Sequence, residues 1–299
     1  MIKIKPWILA ARPKTLFATL SPILVAITIT NKVYNEVNWT IVSLTVLAAL
    51  LLQIGSNYAN DAYDYIKGAD KKGLRKGPKR MAQEGILKPG SILNMMYFIF
   101  ILSVLIGFYL ALVGGWAIVI IGLLSIIFAI LYTGGPYPLG YNGLGDITVF
   151  IFFGLIATSG TFYLQNPRID FFMQNIVPIL LAGSAIGFLN TSILVVNNIR
   201  DYSSDRDSKK RTLVVILGQK FGCYEYAVLL ALSYICFVVL GFLFNDYGMV
   251  IMISIALPFY ILQISRIFKY QSIDLNKMLE NTAKLSFLTS IFLYISTFI

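Results

Sequence analysis

The amino-acid sequence predicts an all-α integral membrane protein of nine transmembrane helices with a cytoplasmic N-terminus. Three observations carry this expectation. Of 299 residues, 58% are hydrophobic and 13% are charged, against roughly a quarter charged in an ordinary soluble domain. The apolar residues form continuous Leu- and Ile-rich runs of about the 20 residues an α-helix needs to cross a bilayer. Basic residues are confined to alternate connections between those runs.

The runs lie at 15–32, 39–59, 92–112, 116–132, 147–164, 172–196, 224–244, 248–265 and 279–298. A membrane β-barrel is excluded, because its strands need short alternating segments. Residues 1–13 carry Lys3, Lys5 and Arg12 without a compact apolar core or small-residue cleavage site, so no removable signal peptide is expected. With the N-terminus inside, all of the 24 Lys and Arg residues except Lys32 and Arg168 fall on the cytoplasmic side, as positive-inside sorting requires. That sorting accounts for most of the +10 net charge, which argues for anionic lipid and against nucleic acid as the bulk partner. Cys223 and Cys236 have no CxxC spacing and are read as packing residues.

No linker or low-complexity tract divides the chain, so residues 1–299 are read as one polytopic domain. Two long charged connections, near 66–91 and 202–221, each follow a run ending in Asn and Asp, which predicts two four-helix halves plus a ninth helix. A third inside loop, 133–146, is dense in Gly and Pro and must fold tightly.

The first polar end reads Asn57-Tyr-Ala-Asn60-Asp61-Ala-Tyr-Asp64, with Gly68 and Asp70 beyond it, and Asn57, Asp61 and Asp64 share one helical face. In the second end, Asn197-Asn198-Ile-Arg200-Asp201-Tyr-Ser-Ser-Asp205, a face is shared by Asn197, Asp201 and Asp205. Carboxylates at helix C-termini oppose the macrodipole by about 0.3–1 kcal/mol each, and two unit charges ~4 Å apart repel by about 4 kcal/mol at an effective dielectric of 20. A divalent cation would offset this. The sequence contains no His, which leaves oxygen ligands and so favours Mg²⁺ completed by phosphate oxygens of a substrate. Lys71, Lys72, Arg75, Lys76, Lys79 and Arg80 after the first stripe, and Lys209, Lys210 and Arg211 after the second, fit a diphosphate clamp. The bland alternatives are topology signals and lipid contacts for the basic runs, and turn caps or local ion pairs for the acids. Tyr58, Tyr63, Tyr65, Tyr132 and Tyr202 lie near the motifs as candidate pocket lining, where π-faces would stabilise an allylic cation.

With these motifs, Arg12-Pro13-Lys14-Thr15-Leu16, Gly77-Pro78-Lys79-Arg80 through Gly85, and Gly143-Leu144-Gly145-Asp146, the chain resembles the UbiA-type intramembrane aromatic prenyltransferases, more closely their menaquinone-forming branch. Two departures from the superfamily pattern stand out. Gly68 replaces the last acid of the first motif, a change shared with that branch, and Lys209 stands where the branch commonly has Gly before the Lys that aligns with Lys210.

The resemblance implies nine helices around a central cavity in the inner, cytoplasmic membrane, with catalytic loops facing the cytoplasm and a lateral opening to lipid. It also implies Mg²⁺-assisted transfer of a polyprenyl group from polyprenyl diphosphate to an aromatic acid, 1,4-dihydroxy-2-naphthoate, with decarboxylation to demethylmenaquinone. Residue by residue, Asn57, Asp61, Asp64, Asp201 and Asp205 would hold metal and diphosphate, with Asn60, Asn198 and Asp70 beside them. Lys71, Arg80 and Lys210 would hold diphosphate, Arg12 and Lys14 the acceptor carboxylate, and Tyr132 the pocket wall. Asp146 would orient the acceptor hydroxyl or take its proton, or else cap the fifth helix. Two alternatives remain: the same chemistry on 4-hydroxybenzoate or homogentisate, and an ion-coupled transporter, which would use intramembrane Asp and Asn differently.

Overall fold

Inside a bilayer the backbone must satisfy its own hydrogen bonds, and a chain this apolar does so with helices. The computed structural model describes residues 4–69, 77, 80–271 and 273–299, the side chain of Lys14 excepted. Its helices are α1 (Ile4–Ala11), α2 (Leu16–Tyr34), α3 (Trp39–Ile66), α4 (Pro89–Leu131), α5 (Gly145–Gln165), α6 (Ile169–Gln174), α7 (Ile176–Arg200), α8 (Tyr202–Asp207), α9 (Leu213–Leu217), α10 (Gln219–Leu243), α11 (Tyr247–Ile267) and α12 (Leu275–Ile295).

Among the described residues, seven helices are long and apolar enough to cross a membrane: α2, α3, α4, α5, α7, α10 and α11. Two of the nine expected runs are not counted separately among them. The runs 92–112 and 116–132 lie end to end in the 43-residue stretch α4 as two helices joined across a kink, together about 65 Å at 1.5 Å per residue against a hydrocarbon core of about 30 Å. The kink falls at Gly115, whose φ of 64° and ψ of −157° belong to a region only glycine occupies without strain. The final run is α12, whose first half carries Lys277, Glu280 and Lys284, with a 2.9 Å ion pair between the last two.

Among the described residues the buried apolar side chains form four clusters, of which two are the largest. One gathers α1, α3, α4 and the turn at Met81 and Ala82, around Tyr58, Ile92, Met96 and Phe100. The other gathers α7, α10, α11 and α12 with part of α2, around Ile186, Tyr226, Phe237 and Tyr260. In the first of these the Phe100 ring lies on Gly55, where a Cβ would come within 2.3 Å of it.

Helix α7 is the centre of the second half. Its Gly183 and Gly187 let it meet the π-helical stretch Ile151–Ile156 of α5 almost backbone to backbone: a Cβ on Gly154 would sit 2.5 Å from Gly187 Cα and 2.6 Å from the Gly183 carbonyl oxygen. Small residues at such spacing permit close helix approach in a bilayer. One turn along, the buried Asn190 side-chain amide donates to the Phe153 carbonyl in the π stretch (2.9 Å) and to the Ala18 carbonyl of α2 (3.1 Å), and its oxygen accepts from Ser286 of α12 (3.0 Å). One polar side chain therefore ties four helices while leaving none of its own groups unsatisfied.

Gly154→Ala is expected to lower the melting temperature in detergent, since overpacking a close-packed contact costs about 1–3 kcal/mol. Gly90→Ala, with nothing within 4 Å of the added methyl, is expected to leave it unchanged; differential scanning fluorimetry of both variants checks the contrast.

Candidate functional site

Both acidic helix ends are closed by the same backbone device. At the end of α3, Gly68 takes φ 73°, its N–H donates to Tyr65 O (3.0 Å), and Ala69 N–H donates to Asp64 O (2.9 Å). At the end of α8, Lys209 takes φ 60°, its N–H donates to Arg206 O (3.1 Å), and Lys210 N–H donates to Asp205 O (2.8 Å). These are paired five-to-two and six-to-one bonds around a left-handed residue. They explain both departures from the superfamily pattern: Gly68 is the residue this closure favours, and Lys209 adopts the same left-handed conformation at the cost of some backbone strain.

On α3 the cavity is lined by Asn57, Asn60 and Asp64. Asp64 is 2% exposed; one oxygen accepts the Tyr141 hydroxyl at 2.6 Å and the other pairs with Arg80 at 2.5 Å. Arg80 also donates to the Asn60 carbonyl, and Thr133 donates to the Asn60 side-chain oxygen at 2.9 Å. Asn57 reaches back to the N-terminal segment, donating to Ala11 O (2.8 Å) and Thr15 Oγ1 (3.2 Å). That fixes the turn at Arg12, which has φ 52° and lines the cavity.

Asp61 is placed differently from the expectation of a shared face with Asn57 and Asp64. It is 1% exposed and absent from the cavity wall. Its two oxygens accept the backbone N–H groups of Met81 and Ala82, each at 3.0 Å.

On α7 and α8, Asn197, Asn198, Asp201 and Asp205 line the same cavity as the first set. Asp201 is held by Arg200 through two bonds, Nε to Oδ1 (2.8 Å) and Nη2 to Oδ2 (2.7 Å). Arg200 also donates to the side-chain oxygens of Asn197 (2.6 Å) and Asn276 (3.1 Å). Asp205 pairs with Lys210 at 3.6 Å. The compensating charge expected from a divalent cation is thus supplied in part from within the chain, and the local-pairing alternative holds for Asp201 and Asp205.

Tyr141 joins the two stripes. Its hydroxyl binds Asp64, its carbonyl accepts the Arg211 N–H (3.0 Å), and its ring has Lys67 and Lys210 Nζ at 5.4 and 5.5 Å. Neither Tyr141 nor Arg200 was singled out by sequence reasoning. Tyr141 sits in a Gly- and Pro-rich loop whose folded path no local pattern gives, and Arg200 reads as one more cytoplasmic positive charge.

Tyr132 lines the cavity, and a methyl on Gly145 would come within 3.1 Å of its hydroxyl. Asp146 is 7% exposed, lies in the first turn of α5 and does not line the cavity; its Oδ1 has no hydrogen-bond partner, and no side chain caps that helix, so the capping alternative is not what the structure shows. Lys71 and Asp70 lie outside the described residues, as do Lys72, Arg75, Lys76 and Lys79 and the side chain of Lys14.

The cavity has a volume of about 540 Å³. Its polar end holds the residues above, and its wall then turns apolar at Phe108, Ile118, Ile126, Phe128, Phe152 and Ile156. The oxygen donors at this end, carboxylate and amide, are of the kind magnesium takes, although among the described residues no group of three His, Cys, Asp or Glu side chains is placed to hold a metal ion. Magnesium binds through one or two carboxylates and completes its shell with water and phosphate oxygens.

Arg200→Met is expected to destabilise the protein by about 3–5 kcal/mol, because it removes both hydrogen bonds that the guanidinium donates to the buried Asp201 carboxylate. The double variant Arg200→Met/Asp201→Leu is expected to recover most of that loss, read as melting temperatures of the two proteins in the same detergent.

Residues 19–289 match the family model described as the UbiA prenyltransferase family. The chain is 38% identical over 240 residues to the 1,4-dihydroxy-2-naphthoate octaprenyltransferase of Mycobacterium leprae (strain TN), covering 80% of this chain and 79% of that one. It is 34% identical over 303 residues to the enzyme of the same description from Escherichia coli (strain K12), covering 98% and 95%. In fold it is similar to a UbiA homologue from Archaeoglobus fulgidus, solved bound to GPP and Mg²⁺, with a TM-score of 0.72 over 98% of this chain and 100% of that chain at 13% identity. Two acidic helix ends converging on one cavity, in a bundle of membrane-spanning helices that matches along nearly its whole length, make this chain a member of the UbiA prenyltransferase family.

Proposed function

We propose that the chain transfers a polyprenyl group from a polyprenyl diphosphate to 1,4-dihydroxy-2-naphthoate, with loss of CO₂, to give demethylmenaquinone. The observation that carries this reading is the joining of an oxygen- and cation-lined mouth to an apolar cavity in one continuous space. That is the shape of a ligand with a charged diphosphate head and a hydrocarbon tail. The names of the relatives supply the acceptor.

In this reading Asp64, Asp201 and Asp205, with Asn57, Asn60 and Asn198, hold Mg²⁺. Magnesium, when bound, supplies neutralisation of the negative charge that builds on the leaving diphosphate. Arg80 and Lys210 line the cavity beside Asp64 and Asp205, and they turn from these carboxylates to phosphate oxygens, with Lys71 as a further cation. The allylic C–O bond breaks with both electrons leaving on diphosphate, so stabilising that charge is the main catalytic contribution. The electron-rich ring carbon bearing the carboxylate then bonds to the allylic carbon, and CO₂ leaves from it.

Arg12, fixed over the cavity by Asn57, takes the acceptor carboxylate, with Lys14. Tyr132 orients the acceptor ring, and Asp146 acts on the acceptor hydroxyl through Tyr132, since it does not itself reach the cavity. The residues that exclude water from the cation are the apolar wall of α4 and α5. The concentration of Lys and Arg on the connections at this end supports a site facing the cytoplasm from the inner membrane.

Purified protein in detergent is expected to convert polyprenyl diphosphate and 1,4-dihydroxy-2-naphthoate, with Mg²⁺, to a prenylated and decarboxylated naphthoquinol identified by mass spectrometry. EDTA should abolish the product, and Asp64→Ala or Asp205→Ala should lower the rate by about 100-fold or more. Product from 4-hydroxybenzoate alone would reassign the acceptor, and no metal-dependent product from either would overturn the reading.

A further inference from the structure

Residues 80–87 form a single turn. Glu84 N–H donates to Arg80 O (3.0 Å), Ile86 and Leu87 N–H donate to Met81 O (3.0 and 3.1 Å), and Gly85 turns the chain out at φ 68°. The first N–H groups of such a turn have no partner within it, and those of Met81 and Ala82 lie where water does not reach, since both residues are 2% exposed. Asp61 supplies the acceptors, one oxygen to each N–H.

Arg80 immediately precedes these two residues, is 6% exposed, and contacts Asp64 and the Asn60 carbonyl. Its backbone position is therefore set by the two bonds to Asp61, three residues before Asp64 on the same helix. Both Asp61 oxygens are occupied, and neither faces the cavity. We propose that Asp61 is a positioning residue: it clamps the turn at Met81 and Ala82 so that Arg80 meets the diphosphate beside Asp64, and it does not hold metal. This rests on the prenyl-transfer reading for the ligand of Arg80, but the clamp itself does not.

The clamp is tested by hydrogen exchange with mass spectrometry on the full-length chain, comparing wild type with Asp61→Asn. The amide can accept from one N–H but turns its own donors toward the other, so the peptide spanning 80–87 is expected to exchange about tenfold faster or more, the weight of one charge-assisted hydrogen bond. Peptides from 92–112 are expected to be unchanged. If Asp61→Asn does not purify folded, Asp61→Glu, which keeps the charge and displaces the oxygens, serves the same comparison. Unchanged protection of 80–87 overturns the proposal.

The second arm is kinetic, with Asp61→Asn, Arg80→Gln and the double variant. Asp61→Asn is expected to raise KM for the polyprenyl diphosphate by about tenfold, leaving the Mg²⁺ concentration for half-maximal rate unchanged. The double variant is expected to be no worse than Arg80→Gln, as for two residues acting through one contact. Additive losses, or a raised Mg²⁺ requirement in Asp61→Asn, overturn the proposal in favour of a metal ligand. Wild type that transfers no prenyl group refutes the enzyme reading instead, and the exchange comparison still decides the clamp.

Discussion

The structure depends on how carboxylates are paired at the mouth of an apolar cavity. Taking a charge out of water costs several kcal/mol, roughly, unless a partner and further hydrogen bonds replace the lost hydration. Each cavity-lining Asp has such a partner, but the three pairs differ in kind. Arg200 holds Asp201 with a two-bond fork, is itself fixed by Asn197 and Asn276, and does not line the cavity. Arg80 and Lys210 do line it. Arg200 is a permanent counterion, and a planar guanidinium suits that task better than an ammonium. Arg80 and Lys210 are placed where an entering anion can compete for them.

That division needs accurate backbone, and the backbone supplies it twice. The closures around Gly68 and Lys209 place Asp64 and Asp205 at equivalent positions in two separate helices, each with its carbonyl bonded by the residue beyond the left-handed turn. Tyr141 then fixes the distance between the two ends, binding Asp64 with its hydroxyl and the Arg211 N–H with its carbonyl. The apolar runs show no matching repeat, so the correspondence is confined to the helix ends.

The sequence made the membrane class, the positions of the polar helix ends and the separation of the runs 92–112 and 116–132 within α4 legible, because these follow from run length and residue type. It did not weigh the polar start of α12. On α3 the face was drawn through Asn57, Asp61 and Asp64, whereas Asn57, Asn60 and Asp64 meet the cavity. Spacings of three and four both keep residues on one side of a helix, so only the packing of the turn at 80–87 tells which neighbour faces inward. Tyr141 and Arg200 were hidden for the same reason: their roles are made by tertiary contacts that no local pattern encodes.

In the proposed reaction, internal pairing also explains why acids stand in a site that takes up an anion. Three basic residues alone would hold a diphosphate tightly both before and after the bond breaks, and equal binding of the two states gives no acceleration of the chemical step. Among the described residues Asp64, Asp201 and Asp205 are each matched to a cation, so the acids offset part of the basic charge, and a diphosphate entering in the proposed reaction would bring divalent cations with it. Binding then depends on ions whose attraction grows as negative charge moves onto the leaving group. The apolar wall beyond Phe128 and Phe152 strengthens that dependence by keeping the local dielectric low. In the proposed reaction, a carboxylate that costs stability in the bundle is thereby what would couple affinity to the reaction coordinate.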